Sequence, residues 1–179
     1  MQTVFLIGHM GCGKTTLGSA LAACLQVAFI DLDEYIEEKC EMTMNRIFET
    51  LGERHFREME CQALHEVAGS HAVVACGGGT PCFGDNMQFM NHHGLTIWLT
   101  TSAERIAARL ALPLEKSKRP LMLPLDDEEI LDYVKSKLRE RQPCYSQAQL
   151  TFDSTRIETA EETAVTARRL AHQLRSILQ

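Results

Sequence analysis

Short apolar runs alternate along the chain with longer segments in which apolar residues recur every three or four positions. The short runs are rich in β-branched or aromatic residues, which predicts strands, whereas the longer segments have the period of amphipathic helices. The predicted strands are residues 3–7, 28–31, 72–76, 95–99 and 150–152. The predicted helices are residues 15–25, 34–39, 44–51, 53–67, 103–110, 128–139 and 160–177.

Strands that are apolar throughout, and that are separated by helices, cannot present one face to water. The pattern therefore predicts an α/β fold, a three-layer α/β/α sandwich with a five-stranded parallel sheet covered by helices on both faces. We find no internal repeat, linker-like stretch or low-complexity segment in the sequence, and 179 residues are enough to bury a core. A single domain over residues 1–179 is the expectation.

The composition narrows the class of protein. An apolar fraction of 45% and a charged fraction of 23% are typical of globular chains, and no apolar run approaches the roughly 20 residues of a membrane span, so we expect no membrane partner. No basic leader follows Met1, which predicts a cytoplasmic location. The formal net charge of −6 argues against nucleic acid as a partner, because nonspecific binding needs a basic face.

Cysteine and histidine give no metal pattern. The seven cysteines are odd in number and form no Cys-x-x-Cys pair, which favours reduced thiols over a disulfide framework or a zinc site. Adjacent His92 and His93 do not share a helix face, and no spaced third ligand follows them, so we predict that they lie in a solvated turn.

A glycine-rich motif follows the first predicted strand. Residues 8–15 read Gly-His-Met-Gly-Cys-Gly-Lys-Thr, which matches Gly, four residues, Gly-Lys-Ser/Thr. Glycines let backbone N–H groups point at phosphate oxygens, Lys14 can reach the β and γ phosphates, and the Thr15 hydroxyl can bind Mg²⁺. The alternative is a glycine-rich surface turn, but the strand before and the helix after the motif favour a phosphate-binding loop.

Two carboxylates, Asp31 and Asp33, end the second predicted strand. Alternate side chains at the carboxyl end of a parallel strand project toward the same crevice. One carboxylate can hold water around Mg²⁺, which suits Asp31, and the other can accept a proton from an attacking hydroxyl, which suits Asp33. The competing interpretation is that Asp33 is simply the N-cap of the following helix.

A glycine triplet and several arginines complete the candidate set. Residues 77–79 are three glycines after the third strand, where a backbone can approach a ligand closely. Arg57 lies on a predicted helix with Glu60 three residues on, so the carboxylate can brace the guanidinium. A plain glycine turn and an ordinary surface ion pair are the alternatives.

The segment from residue 111 to residue 127 shows no clear period and carries three prolines with Lys116, Lys118 and Arg119. We interpret it as a mobile lid at about residues 111–124. Arg139 and Arg141 come next, just before Pro143, which is expected to break the helix that carries them.

Taken together, the loop at residues 8–16, Asp31-Leu32-Asp33, Phe56-Arg57 with Glu60, the glycine triplet, Arg119-Pro120-Leu121 and Arg141 with Pro143 and Tyr145 resemble the shikimate kinase family. Their order and spacing agree over nearly the whole chain. The resemblance implies a P-loop NTPase fold like that of nucleoside monophosphate kinases, with sheet order 2-3-1-4-5. It also implies phosphorylation of the 3-hydroxyl of shikimate by ATP, on the path to chorismate, with Mg²⁺ as cofactor and a monomeric enzyme.

The resemblance also assigns roles to residues. Asp33, Lys14 and Arg119 would be catalytic, with Asp33 positioning or deprotonating the attacking hydroxyl. The substrate-binding region would be about residues 34–67. Shikimate would contact Arg57 and Glu60 in this region and, outside it, Asp33, Gly78, Gly79 and Arg141. ATP would contact Gly11, Cys12, Gly13, Lys14, Thr15, Thr16 and Arg119, with Arg109 and Arg156 beside the adenine, and the metal would be held by Thr15 and, through water, by Asp31.

Two alternatives stay open at this point. A related kinase for gluconate or a nucleoside monophosphate would share the phosphate-binding loop and the lid. A nucleotide-binding switch module that transfers no phosphate is compatible with Lys14 and Thr15 alone, although Asp33 and Arg57 argue against it.

Overall fold

Five parallel strands form the middle layer of the molecule. The computed structural model describes residues 2–117 and 122–177. The strands are β1 (Thr3–Ile7), β2 (Phe29–Asp31), β3 (Val73–Ala75), β4 (Gly94–Thr100) and β5 (Leu150–Asp153). Within the described residues the sheet has the order β2-β3-β1-β4-β5, which confirms the predicted order. Val4 of β1 lies opposite Val73 of β3 on one side and Leu95 of β4 on the other.

Helices cover both faces of this sheet. The helices are α1 (Lys14–Leu25), α2 (Leu32–Cys40), α3 (Met44–Val67), α4 (Asn86–His93), α5 (Ala103–Ala111), α6 (Pro113–Ser117), α7 (Asp127–Tyr145) and α8 (Ala160–Ile177), with a 3-10 turn at Thr80–Cys82. Along β1, Val4 and Leu6 pack into one apolar cluster with α1, α5, α7 and α8, whereas Phe5 and Ile7 pack into a second cluster with α2, α3 and α4. Successive side chains of a strand point to opposite faces, so the two clusters establish the three-layer α/β/α sandwich.

The sequence pattern missed α4, and this changes the account of His92 and His93. Both residues lie in the last turn of α4 rather than in a solvated turn. The Nδ1 of His92 donates to Gln88 O at 2.6 Å, and that of His93 donates to Phe89 O at 2.8 Å, because a carbonyl oxygen can only accept. The ring of Phe89 also stacks on His93 at 4.0 Å between centroids.

The helices also differ from expectation at Pro143, at Gly52 and in the lid region. The predicted end of a helix at Pro143 is wrong, because α7 continues to Tyr145. A proline removes a single N–H donor, and here the next bond, from Ser146 N to Gln142 O at 2.9 Å, keeps the last turn closed. The two helices predicted on either side of residue 52 form the single helix α3, which is kinked at Gly52, where φ is 77°. The lid region holds the short α6, whereas Arg119 lies outside the described residues.

The carboxyl ends of β1, β2 and β3 bring three motifs to one edge of the sheet. Leu6 of β1 and Asp31 of β2 both lie opposite Ala75 of β3. The chain segments that leave these strands are the phosphate-binding loop, the Asp31–Asp33 segment and the glycine triplet. In a parallel sheet this edge is the usual place for a ligand crevice. Among the described residues, no helix is long and apolar enough to cross a membrane.

Candidate active site

The phosphate-binding loop has the backbone of an anion cradle. Gly8, Gly11 and Gly13 have φ values of 140°, 78° and 96°, which residues with a side chain rarely adopt. Among the described residues, no side chain caps the N-terminus of α1, so its first N–H groups are available to a ligand in the loop. Lys14 Nζ donates to Gly8 O at 2.8 Å and His9 O at 3.0 Å, so the ammonium group lies across the loop. A phosphate group could replace these two carbonyls as its partner.

The segment between β5 and α8 supports this loop from behind. Ser154 Oγ donates to Cys12 O at 2.8 Å. A Cβ on Gly13 would lie 1.9 Å from Cδ1 of Ile157, and this contact adds to the φ of 96° in favouring glycine there. The sequence pattern missed both Ser154 and Ile157, because a lone serine and a lone isoleucine in a loop carry no motif.

Arg109 fastens the same segment to the loop. Its Nη1 donates to Gly11 O at 2.9 Å, and its Nη2 donates to Thr155 O at 3.3 Å and to Glu158 Oε1 at 2.7 Å. Arg156 is exposed on this segment, with its carbonyl accepting from Thr166 Oγ1. Of the two arginines predicted to flank the adenine, Arg109 therefore contacts the phosphate-binding loop, and Arg156 lies on the segment that supports the loop.

Asp31 links the loop to the second strand. Its Oδ2 accepts from Thr15 Oγ1 at 2.7 Å and its Oδ1 accepts from Asp33 N at 3.1 Å. Asp31 is therefore the N-cap of α2, and the alternative in which Asp33 caps that helix is wrong. Because Asp31 caps the helix, the carboxylate of Asp33 is available for other contacts.

Asp33 is partly buried on the first turn of α2, next to the glycine triplet. A Cβ on Gly77 would lie 3.0 Å from Asp33 Oδ1. Burial raises the pKa of Asp33 to about 6, the negative charges of Asp31 and Glu60 add to the rise, and Lys14 opposes it. A carboxyl group with this pKa can exchange a proton near neutral pH, as a general base must.

Arg57 lies on α3 on the other side of the triplet. Its Nη1 donates to Glu60 Oε2 at 2.8 Å and its Nη2 to Glu53 Oε1 at 3.2 Å, while the ring of Phe83 lies 4.4 Å from its Cζ. Glu60 is buried and also accepts from Thr80 Oγ1. Within the described part of the chain, Arg57 Nε is buried without a hydrogen-bond partner. The guanidinium is thus held in one orientation. Neither Glu53 nor Phe83 was predicted as a support, because neither belongs to a motif.

Arg141 and Tyr145 approach the triplet from α7. A Cβ on Gly78 would lie 3.0 Å from Arg141 Nη1 and 3.4 Å from the backbone N of Met10 in the phosphate-binding loop. The phenol of Tyr145 donates to Gly78 O at 2.5 Å, and burial raises the pKa of this phenol, which keeps it a donor. Gly78 is therefore enclosed by the phosphate-binding loop, Arg141 and Tyr145.

Gly79→Ala is expected to raise about tenfold the KM of a substrate that Arg57 binds, and to leave the KM of a nucleotide in the phosphate-binding loop within about twofold. The new Cβ would lie 2.7 Å from Arg57 Nη1 and 2.9 Å from Nη2, and Glu60 and Phe83 restrict how far the guanidinium can move away. Steady-state kinetics check this. Gly69→Ala is the control, because a Cβ there meets nothing within 4 Å. Equal effects of the two substitutions would contradict the steric argument.

Comparison with known proteins identifies the family of this chain. The family model for shikimate kinase matches residues 10–173. Shikimate kinase of Bacteroides thetaiotaomicron is 42% identical over 97% of this chain and 99% of its own. A crystal structure of shikimate kinase from that organism superposes with a TM-score of 0.92 at 42% identity, covering 97% of this chain and 98% of that one.

A second solved structure extends the comparison to a liganded protein. Shikimate kinase from Acinetobacter baumannii, solved in complex with shikimate, has a TM-score of 0.80 at 32% identity, covering 99% of this chain and 93% of that one. The family match, the close relative and the two structures agree with one another over nearly the whole chain. The chain belongs to the shikimate kinase family.

Proposed function

We propose that the site transfers the γ-phosphoryl group of ATP to the 3-hydroxyl of shikimate. The observation that carries the proposal is the convergence of Asp33, Arg57 and Arg141 on one glycine triplet, within 3.0 Å of where Cβ atoms on Gly77, Gly79 and Gly78 would lie. The triplet itself adjoins the phosphate-binding loop at Met10. A carboxylate base, two guanidinium groups and a phosphate cradle then surround one small polar space.

The two arginines suit the carboxylate of shikimate. A guanidinium binds a carboxylate through two parallel charge-assisted hydrogen bonds, and burial strengthens them because water is excluded. Arg57 is prepared for this task by Glu60 and by Phe83, which limit the side-chain entropy lost on binding. We assign the hydroxyls of shikimate to Asp33 and to the backbone of Gly78 and Gly79.

The phosphate-binding loop suits the triphosphate of ATP. We propose that Lys14 exchanges the carbonyls of Gly8 and His9 for the β and γ phosphates when ATP binds. The backbone of residues 11–16 and the N-terminus of α1 would hold the same groups. We assign Arg109 and Arg156 to the adenine side and Arg119, from the lid, to the γ-phosphate.

The donor set between the loop and α2 fits Mg²⁺. The Thr15 hydroxyl and the Asp31 carboxylate lie 2.7 Å apart, and both offer the hard oxygen atoms that Mg²⁺ prefers. Thr15 would hold the ion directly and Asp31 through water. When bound, Mg²⁺ supplies positive charge that offsets the negative charge of the β and γ phosphates.

Asp33 performs the proton chemistry. Its carboxylate accepts the hydrogen bond of the 3-hydroxyl and orients that oxygen toward the γ-phosphorus. It takes the proton as the new O–P bond forms and the bond from the γ-phosphorus to the β–γ bridging oxygen breaks, so that ADP leaves. Lys14 and Arg119 stabilise the charge on the transferred group. After transfer, a carboxyl with a pKa of about 6 returns the proton to water near neutral pH.

An ATP-coupled assay tests the function directly. We expect ADP release that depends on shikimate and Mg²⁺, and turnover with gluconate or a nucleoside monophosphate at least about a hundredfold lower, because neither matches the fixed arginines and Asp33 together. ATP binding without shikimate-dependent ADP release would support the switch-module alternative instead. The cytoplasmic location, the monomeric state and the closing of a lid at residues 111–124 stay predictions.

A further inference from the structure

Two cysteines lie on adjoining segments at the rim of the proposed shikimate site. Cys82 ends the 3-10 turn that follows the glycine triplet, and Cys144 lies in the last turn of α7. The Cys144 thiol donates to Pro81 O at 2.8 Å, so its sulfur lies beside the residue that precedes Cys82. Cys82 is exposed and Cys144 is partly buried, so one sulfur of the pair is open to reagents in solution.

The surroundings favour a reactive thiolate at Cys82. The Cys144 thiol lowers the pKa of Cys82, because it can donate to an ionised Cys82 in place of Pro81 O. The positive charges of Arg141 and Arg57 act in the same direction, against the effect of partial burial and of Glu140. Exposed thiols beside arginine are the ones that exchange with disulfides, because the thiolate is the nucleophile. Cys144 lies in place as the second thiol.

We propose that Cys82 and Cys144 are a redox-sensitive pair that a low-molecular-weight disulfide converts into a protein disulfide, and that this disulfide weakens shikimate binding. The Cys82 thiolate attacks one sulfur of the reagent RSSR, the S–S bond breaks and RS⁻ leaves. Cys144 then loses its proton to solvent and attacks the Cys82 sulfur, which expels the second RS⁻. Both leaving thiolates take up protons, so two protein thiols and RSSR give one protein disulfide and two RSH.

The effect on shikimate follows from the neighbours of the pair. Cys82 lies three residues after Gly79, and Cys144 lies three residues after Arg141, about one helical turn. A disulfide shortens the distance between the sulfurs to about 2 Å, so it draws the 3-10 turn and the end of α7 together. This shifts Gly79 against Arg57, and Arg141 against Gly78. The phosphate-binding loop is on neither element, so ATP binding is expected to change little.

The experiment compares reduced protein with protein treated with glutathione disulfide. A non-reducing digest followed by mass spectrometry is expected to show a peptide pair linked through Cys82 and Cys144. KM for shikimate is expected to rise about tenfold and to return with dithiothreitol, while KM for ATP stays within about twofold. Cys82→Ser and Cys144→Ser should keep the reduced activity and lose the response. Cys24→Ser, which removes a partly buried cysteine on α1, should keep both.

The outcomes separate this inference from the proposed kinase function on which its kinetic part rests. No linked peptide, an unchanged KM for shikimate in linked protein, or a full response in Cys82→Ser would each overturn the thiol pair. A protein that forms the linked peptide on oxidation, but whose reduced form turns over no shikimate, would instead contradict the kinase function and, with it, the effect on KM.

Discussion

Asp33→Asn is expected to lower kcat by about 10²–10⁴-fold while the affinity for ATP changes less than about threefold. Asparagine has the size of aspartate and can still accept a hydrogen bond, but it cannot take the proton of the 3-hydroxyl, and a positioned base contributes this factor to a rate. The phosphate-binding loop keeps its own contacts, because Lys14 bonds to loop carbonyls and Thr15 bonds to Asp31. Steady-state turnover and ATP titration measure the two quantities.

The pH dependence provides the control for this experiment. The pKa of Asp33 is raised from 3.8 to about 6, so wild-type kcat is expected to rise with pH and level off above about pH 6–7 as the carboxylate forms. The residual activity of Asp33→Asn should lack this rise. Asp31→Asn is the matched variant: it loses a capping carboxylate that we also assign to Mg²⁺, so kcat itself should fall. The rise with pH should remain but move to lower pH, because the charge of Asp31 no longer raises the pKa of Asp33. A pH profile of Asp33→Asn that matches the wild type would contradict the assignment of the base.

Stability should change in the opposite direction from activity. Between about pH 4 and pH 6 the folded protein binds more protons at Asp33 than the unfolded chain does, so ionising Asp33 costs folding free energy that is absent below pH 4 and fully present above pH 6. A shift of about 2 pKa units corresponds to at most about 3 kcal/mol. Asp33→Asn is therefore expected to raise the free energy of unfolding at pH 8 by about 1–3 kcal/mol, which denaturant titration checks. A residue kept despite this cost is typical of a functional site.

The fold was open to prediction because its signals are local. Apolar runs such as residues 3–7 and 95–99 must be buried on both faces, and the periodic segments between them supply the cover. The sheet order 2-3-1-4-5, in contrast, came from the resemblance, since periodicity does not fix which strands are neighbours. The helix α4 was missed because its apolar residues, Met87, Phe89 and Met90, are few and mixed with polar residues.

The site was predictable only as far as motifs reach. The phosphate-binding loop and Asp33 follow strands directly, so their position at one edge of the sheet could be inferred. The supports of Arg57 could not, because Phe83 comes from a distant part of the chain and Glu53 looks like any exposed glutamate on a helix. The pairing of Cys82 with Cys144 depends in the same way on how the 3-10 turn meets α7.

Arg57→Met is expected to raise KM for shikimate by about 10²–10³-fold, with KM for ATP nearly unchanged. Methionine keeps an unbranched apolar side chain against Phe83 but removes the charged fork, and truncating one partner of a buried charge pair costs about 2–5 kcal/mol of binding. Arg57→Lys should recover only part of this, since an ammonium group cannot bind a carboxylate through two parallel bonds. Steady-state kinetics with shikimate varied at saturating ATP measure the effect.

Arg54 provides the matched control on the same helix. Its side chain is 94% exposed and pairs with Glu58 at 3.3 Å, whereas that of Arg57 is 15% exposed and pairs with Glu60, which is 1% exposed. Arg54→Met should therefore leave KM for shikimate within about twofold and stability within about 0.5 kcal/mol.

Arg57→Met should also destabilise the fold by about 3–5 kcal/mol, because it leaves Glu60 as a buried charge without its guanidinium partner. Adding Glu60→Gln to Arg57→Met separates the two effects: it should restore much of the lost stability, since the buried charge is gone, and none of the shikimate affinity. Recovery of the affinity in the double variant would show that Arg57 acts only by neutralising Glu60, and would overturn its assignment as a ligand of the substrate carboxylate.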